Sequence, residues 1–175
     1  MVSIDKECFY NMSNLEVFIP CTLTQDSAFS GVDSIHKVGF AEGYEKIPDK
    51  MFHLCFNLVE VIIPDNLKAI GVWSFMDSGI KSIKIPQNCT VQLSAFAGAK
   101  LESVEISFPI KMEISVGIGK PNIITGEYKN REIITVEATD MEHFKRLITK
   151  EYRDSDKFFT PFNHTPFENH IIKNI

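Results

Sequence analysis

The sequence predicts a repeat solenoid, mainly β, that is closed at its C-terminal end by a capping helix. The phenylalanines that close each unit are separated by 20, 23, 23 and 21 residues, and the apolar residues that open each unit by 20, 23, 22 and 21. The two series of spacings vary in the same way from unit to unit, which indicates a true repeat. A single unit of this size cannot bury its own apolar face, so neighbouring units must stack. The two sets are Phe9, Phe29, Phe52, Phe75 and Phe96, and Leu15, Ile35, Leu58, Ile80 and Leu101.

Each unit opens with an alternating run of apolar residues that predicts a β-strand. In the run from 80 to 85, we expect Ile80, Ile83 and Ile85 to face inward and Lys81 and Lys84 to face outward. Equivalent runs begin at residues 58 and 101, and a shortened one begins at residue 15. Proline lacks the N–H that would continue a ladder. Three of these strands therefore end at Pro20, Pro64 and Pro86.

The second half of each unit carries a further pair of apolar residues at constant offset, such as Ile70 and Phe75. The combined pattern, Leu-x-x-Ile-x-Ile-Pro, then Ile-Gly, then Ala-Phe, resembles the BspA-like leucine-rich repeat family. The unit "LVEVIIPDNLKAIGVWSF" is the nearest to that pattern, with Pro64 and Gly71 in the family's places. The resemblance covers roughly residues 1–122 and is strongest over 44–106. It also implies that Cys55 is a buried cysteine.

The chain divides into three predicted parts. Residues 1–122 form the solenoid, with about five units, of which the one from Leu101 is degenerate because it lacks the closing Ala-Phe. Residues 123–156 supply a strand and a capping helix, whose start is predicted from Thr139 and Glu142, spaced as a capping box. Solenoids need such a cap to cover the last apolar face. Residues 157–175 form a phenylalanine-rich tail.

The tail repeats Thr-Pro-Phe at 160–162 and 165–167 and admits two interpretations. Its aromatic residues either fold back onto the solenoid or dock on another subunit or partner, because aromatic side chains dominate interface anchors. The residues concerned are Phe158, Phe159, Phe162 and Phe167.

Composition argues against several classes of partner. A formal net charge of -5, with lysines and arginines scattered singly, disfavours nucleic acid. No run reaches the ~18 apolar residues of a membrane span. Asp5, Lys6 and Glu7 interrupt any signal-peptide core, so we expect a cytoplasmic protein, or a surface or secreted one if the chain is a fragment. The four cysteines lack metal-ligand spacing; we expect buried free thiols, the alternative being disulfides in an exported chain.

No cofactor or metal site and no catalytic constellation emerges from the sequence. His164, Glu168 and His170 lie close together, but a proline-containing tail fixes no ligand geometry. The Gly-x-Gly-Lys in residues 117–120 lacks the glycine frame and the helix of a phosphate loop. Ser34 and His36 lack a nucleophile elbow.

Two functions from different classes remain. The first is a non-enzymatic leucine-rich repeat protein that mediates protein–protein interaction through the outward face of the solenoid, with a protein partner of unknown identity. The second is a structural or assembly protein, an intracellular effector or virus-encoded, that forms a homo-oligomer through an open solenoid edge and the phenylalanine-rich tail. The predicted partner-binding residues are the four tail phenylalanines together with Glu60, Trp73, Lys81, Lys84, Glu102 and Glu105.

Overall fold

The computed structural model describes residues 5–9, 11–118, 130–149, 158–162 and 165. A 3-10 helix at Lys6–Phe9 precedes a β-solenoid of about five turns, and one α-helix, α1 (Met141–Thr149), follows it. The prediction of a mainly β repeat solenoid is confirmed. In chain order the strands are β1 (Leu15–Ile19), β2 (Ile35–Phe40), β3 (Lys46–Ile47), β4 (Glu60–Ile62), β5 (Ala69–Ile70), β6 (Ser82–Ile85), β7 (Thr90–Val91), β8 (Ser103–Ile106), β9 (Ile110–Ile118), β10 (Asn130–Ala138) and β11 (Phe158–Phe159).

From the second coil onward, each coil contributes one strand to each of two faces. The alternating runs form the first face, in which β1, β2 and β4 pair in parallel and β6 pairs in parallel with β8. The two-residue strands β3, β5 and β7 form the second face, also in parallel. Parallel pairing follows from stacking identical units in the same direction. The core lies between the two faces, where the predicted inward residues Leu58, Ile80 and Leu101 are fully buried.

The closing phenylalanines stack into a ladder that runs through the core. The ring centroids of Phe29 and Phe52 are 5.5 Å apart, those of Phe52 and Phe75 5.4 Å, and those of Phe75 and Phe96 5.5 Å, and the ring planes of each pair are nearly parallel. Each phenylalanine N–H also donates to a carbonyl of the next coil, as Phe52 does to Ser74 at 2.7 Å. The recurring phenylalanine spacing therefore reflects a buried column of aromatic rings. Contacts between the stacked rings stabilise the core beyond the effect of burying their surface.

The last coil is completed by residues from the tail. β9 begins as a second-face strand that pairs in parallel with β7. It is longer than the other second-face strands and also pairs antiparallel with β10 and β11. The missing rung of the ladder is Phe162, whose ring stacks 5.4 Å from that of Phe96. The Phe96 N–H donates to the carbonyl of Pro161 at 2.8 Å, as the Phe75 N–H does to that of Ala95. The degenerate coil is thus closed by a segment from beyond α1.

The helix begins one residue later than the predicted capping box. Asp140 is the N-cap, since its Oδ1 accepts the backbone N–H of His143 at 2.7 Å. The Thr139 hydroxyl instead contacts the Asp140 carboxylate and the His143 ring. A carboxylate that directly precedes the first turn can reach the free N–H groups, so the Thr139–Glu142 assignment was wrong. On the helix, Phe144 is fully buried and meets Phe162 edge-on at 5.8 Å.

The four cysteines are free, but only two are buried. Cys55 and Cys89 lie in the core, and the Cys55 thiol donates to the carbonyl of Phe29 at 3.1 Å. The expectation of buried thiols is wrong for Cys8, in the 3-10 helix, and for Cys21, in the first coil; both are exposed near the N-terminal end of the stack.

Candidate partner-binding surface

The outward side chains of the first face form two rows that cross the coils. The register aligns Glu16, Lys37 and Glu60 in one row and Phe18, Gly39 and Ile62 in the other. The equivalent outward positions on β6 are Ser82 and Lys84, and those on β8 are Ser103 and Glu105. We call this surface the strand face. Alignment across strands follows from parallel pairing without a register shift within these rows.

The charged row is held by a cross-strand ion pair. Lys37 Nζ lies 2.9 Å from Glu60 Oε1. The hydrogen bond and charge of Glu60, aided by the charge of Glu16, raise the pKa of Lys37 above its usual 10.5. Because the side chains of Lys37 and Glu60 are partly solvent-exposed, this pair fixes geometry more than it adds stability.

The second row is apolar at its N-terminal end. Phe18 is 69% exposed and Ile62 is 53% exposed, on either side of Gly39. A methyl group on Gly39 would lie 3.5 Å from the Phe18 ring, so the ring leans over the glycine. Large apolar side chains exposed side by side on a polar face are typical of interaction sites. Sequence reasoning missed both residues, although each occupies an outward position of an alternating run.

Glu60, Lys84 and Glu105 lie on first-face strands, whereas the other two predicted charged residues, Lys81 and Glu102, directly precede β6 and β8. Most of the set forms ion pairs. Lys84 Nζ lies 3.6 Å from Asp65 Oδ1, and Lys81 Nζ lies 4.0 Å from Glu102 Oε1. Glu105 is in register with Lys84 on the neighbouring strand. All of these side chains are exposed, so the pairs cost little to rearrange around a partner.

Trp73 belongs to a different part of the coil. It lies two residues before Phe75, with a positive φ of 57°, in the turn that follows the second-face strand β5. The Lys50 ammonium, from the equivalent position of the preceding coil, lies 4.8 Å from the centre of the Trp73 ring. At 39% exposed, Trp73 is accessible but is not brought together with the strand face.

The tail phenylalanines have different positions. Phe162 is fully buried against Phe96 and Phe144, so its prediction as a partner-binding residue is wrong, and for this residue the fold-back interpretation holds. Phe158 and Phe159 form β11, which pairs with β9. Phe167 lies outside the described residues, as do His164, Glu168 and His170.

The two ends of the solenoid differ. At the C-terminal end, Phe144 covers the last rung of the ladder. At the N-terminal end, β1 is the edge of its sheet, and Leu15 and Val17 are only half-buried, whereas Ile35 and Val38 on β2 are fully buried. A cavity of about 460 Å³ opens here between the side chains of Phe9, Val17, Phe18, Leu23 and Phe29, among others.

Within the part of the chain that the structure describes, no three histidine, cysteine or acidic side chains come together as metal ligands would. None of the helices in that part is long and apolar enough to cross a membrane.

The BspA type leucine-rich repeat family model matches residues 2–114 of this chain in six copies. The matched region covers all first-face strands and reaches into β9, where the solenoid departs from its regular path. No curated protein and no solved structure gives a significant match.

Proposed function

The chain belongs to the BspA-type leucine-rich repeat family, and from that premise we propose that it is a non-enzymatic protein that binds a protein partner through the strand face. Repeat proteins of this family commonly act in protein interaction. The observation that carries the proposal is the exposure of Phe18 and Ile62 across the bare backbone of Gly39. This apolar row is bordered by the Lys37–Glu60 and Lys84–Asp65 pairs. An apolar centre with a charged border is the usual anatomy of an interface.

The test uses a displayed library of random linear peptides, selected on the wild-type protein. Peptides selected on the strand face will bind the Phe18→Ser/Ile62→Ser double variant about tenfold more weakly, because two anchors are lost. The matched control is Ile133→Ser/Ile134→Ser, which removes two exposed apolar side chains of β10 and leaves binding unchanged. Equal binding to both double variants, or no enrichment of any peptide, would reject the strand face as the recognition surface.

A second candidate function, self-association, is favoured by the N-terminal end of the solenoid, where none of the described strands covers the outer edge of β1. The backbone groups of Leu15 and Ile19 are bonded to coil two, through Ser34 and Ala41. Alternate residues of a strand bond to opposite sides, so the N–H and C=O groups of Glu16 and Phe18 point to the other edge of β1. No described strand pairs there, and a further strand could do so. Since Phe144 covers the opposite end, a contact between two open ends would close as a symmetric dimer rather than grow into a fibre.

Light scattering at increasing concentration tests self-association. A dimer of the 19.9 kDa chain is expected, and Val17→Lys should return it to the monomer by placing a charge at the half-buried edge. A wild-type protein that stays monomeric at every concentration would rule this function out. Truncation of the tail is unsuitable as a test, because it would also remove the buried rung Phe162.

A further inference from the structure

A groove follows the corner where each coil enters its first-face strand. The residues that directly precede the strand-opening apolar residues line up there across five coils, and the groove they border has a volume of about 570 Å³. With ~4.8 Å between neighbouring strands, four steps span about 19 Å, which is the length of about six residues of an extended peptide. We call this the corner groove; its aligned residues are Asn14, Ser34, Asn57, Gly79 and Lys100.

The backbone around the corner groove is fixed before any partner arrives. Asp33 Oδ1 accepts the Phe56 N–H at 3.3 Å, and the Asp33 carbonyl accepts from the Asn57 side chain at 3.0 Å. A methyl group on Gly79 would lie 2.2 Å from the Phe56 carbonyl oxygen, so residue 79 cannot carry a side chain without a shift of the backbone and adds none to the groove. A preformed groove costs little conformational entropy when a ligand binds.

The two ends of the corner groove differ in chemistry. Met12 and Phe56, from the first and third coils, are about half exposed and make the N-terminal part apolar. Lys81 and Lys100, from the last two coils, make the other part basic. Lys100 forms no ion pair with a described residue, and Lys81 is only 4.0 Å from Glu102. Asp33 is the one carboxylate among the described lining residues.

We propose that the corner groove binds an extended peptide with an apolar side chain at one end and carboxylates at the other. The apolar side chain contacts Phe56, and the carboxylates pair with Lys81 and Lys100, one and two coils further along. Complementary charge is what selects this peptide over a basic one, in a chain whose net charge of -5 would repel acidic ligands elsewhere. This site goes beyond the proposed function, because it lies beside the strand face and does not use Phe18 or Ile62.

Fluorescence anisotropy with two labelled peptides tests the proposal. The probes are Leu-Ser-Phe-Ser-Asp-Glu and its reverse, since the groove does not fix chain direction, with a Lys-Lys version of each as the basic control. We expect one acidic probe to bind with a Kd below about 1 mM at low salt. Lys100→Glu should weaken binding about tenfold, and Val59→Trp, which fills the groove but keeps both lysines, should also weaken it.

The matched control is Lys111→Glu, an equal charge change at an exposed position of β9 outside the groove. It should leave the affinity unchanged, as should the Phe18→Ser/Ile62→Ser variant, which separates this site from the strand face. The proposal is overturned if neither acidic probe binds, if a basic probe binds as well, or if Lys111→Glu weakens binding as much as Lys100→Glu does.

Discussion

At the scale of single residues, the turn around each ladder phenylalanine imposes a strained backbone. Ser27, Lys50, Trp73 and Ser94, each two residues before a phenylalanine, all have φ between 54° and 59°. Left-handed backbone is disfavoured for such residues, and it persists where the surroundings over-determine it. Backbone N–H groups in these turns donate to carbonyl oxygens of the next coil, as the Lys50 N–H does to the Val72 carbonyl at 2.9 Å. The stack therefore dictates the conformation of the turn, whatever side chain the sequence supplies.

Two glycines on the first-face side of the coil provide a matched pair for close packing. In Gly79→Ala the new methyl group would overlap the Phe56 carbonyl oxygen, so we expect a loss of about 3 kcal/mol in unfolding free energy. In Gly39→Ala it would make ordinary contact with the Phe18 ring, so we expect almost no loss. Urea denaturation of both variants measures the difference. Equal losses would mean that the coil spacing at Gly79 relaxes freely.

The thiols predict a simple accessibility pattern. Burial raises the pKa of Cys89 to about 12, so its thiol remains protonated and shielded, and Cys55 is equally buried. The exposed Cys8 and Cys21 should react with a thiol reagent in the native protein, and the two core cysteines only after denaturation. Mass spectrometry of the labelled protein identifies the modified residues. Rapid native labelling of Cys55 or Cys89 would contradict the packing of the core.

At the scale of elements, the start of α1 depends on the charge of one carboxylate. The backbone N–H of His143 holds the pKa of Asp140 below its usual 3.8. The charged cap is therefore fully present above pH 3.8 and is lost as the pH falls through the lower folded-state pKa. We expect the stability difference between wild type and Asp140→Asn to shrink over this acid range. Denaturant unfolding at neutral and acid pH measures it, with Glu137→Gln as the control for general charge loss.

The tail segment that contains Phe162 should contribute strongly to the stability of the C-terminal end of the solenoid. Phe162→Ala would remove the last rung between Phe96 and Phe144, and we expect a loss of about 3–5 kcal/mol. The control Phe18→Ala removes an equally large but exposed side chain and should cost little. Thermal and urea unfolding compare the two. A small loss for Phe162→Ala would show that the solenoid is complete without its tail.

At the scale of the whole molecule, the asymmetry of the two ends predicts a direction of fraying. Stability in a solenoid is a sum over neighbouring coils, and among the described strands β1 pairs only with β2, whereas β2 pairs with both β1 and β4. The opposite end is covered by α1 and by the tail rung Phe162. Hydrogen exchange should therefore be faster in Leu15–Ile19 than in Ile35–Phe40, which pairs on both sides. Similar protection of β1 and β2 would indicate that another strand covers the outer edge of β1, which is the result self-association would give.

The sequence by itself determined the solenoid, because stacking repeats the same contacts at a fixed interval and so leaves the same residue types at that interval. The phenylalanine column and the first-face strands both follow from that periodicity. It also indicated which strand positions face outward, and thus the positions of Glu60, Lys84 and Glu105. These are local properties, set by alternation along one strand.

Tertiary structure alone decided how the last coil closes and which surfaces are open. Phe162 completes a repeat that was interrupted by β10 and α1, and no local pattern relates it to Phe96. The corner groove and the apolar row across Gly39 likewise depend on which residues of different coils become neighbours. Such contacts join positions far apart in the chain, and they depend on the register of the stack rather than on any one segment.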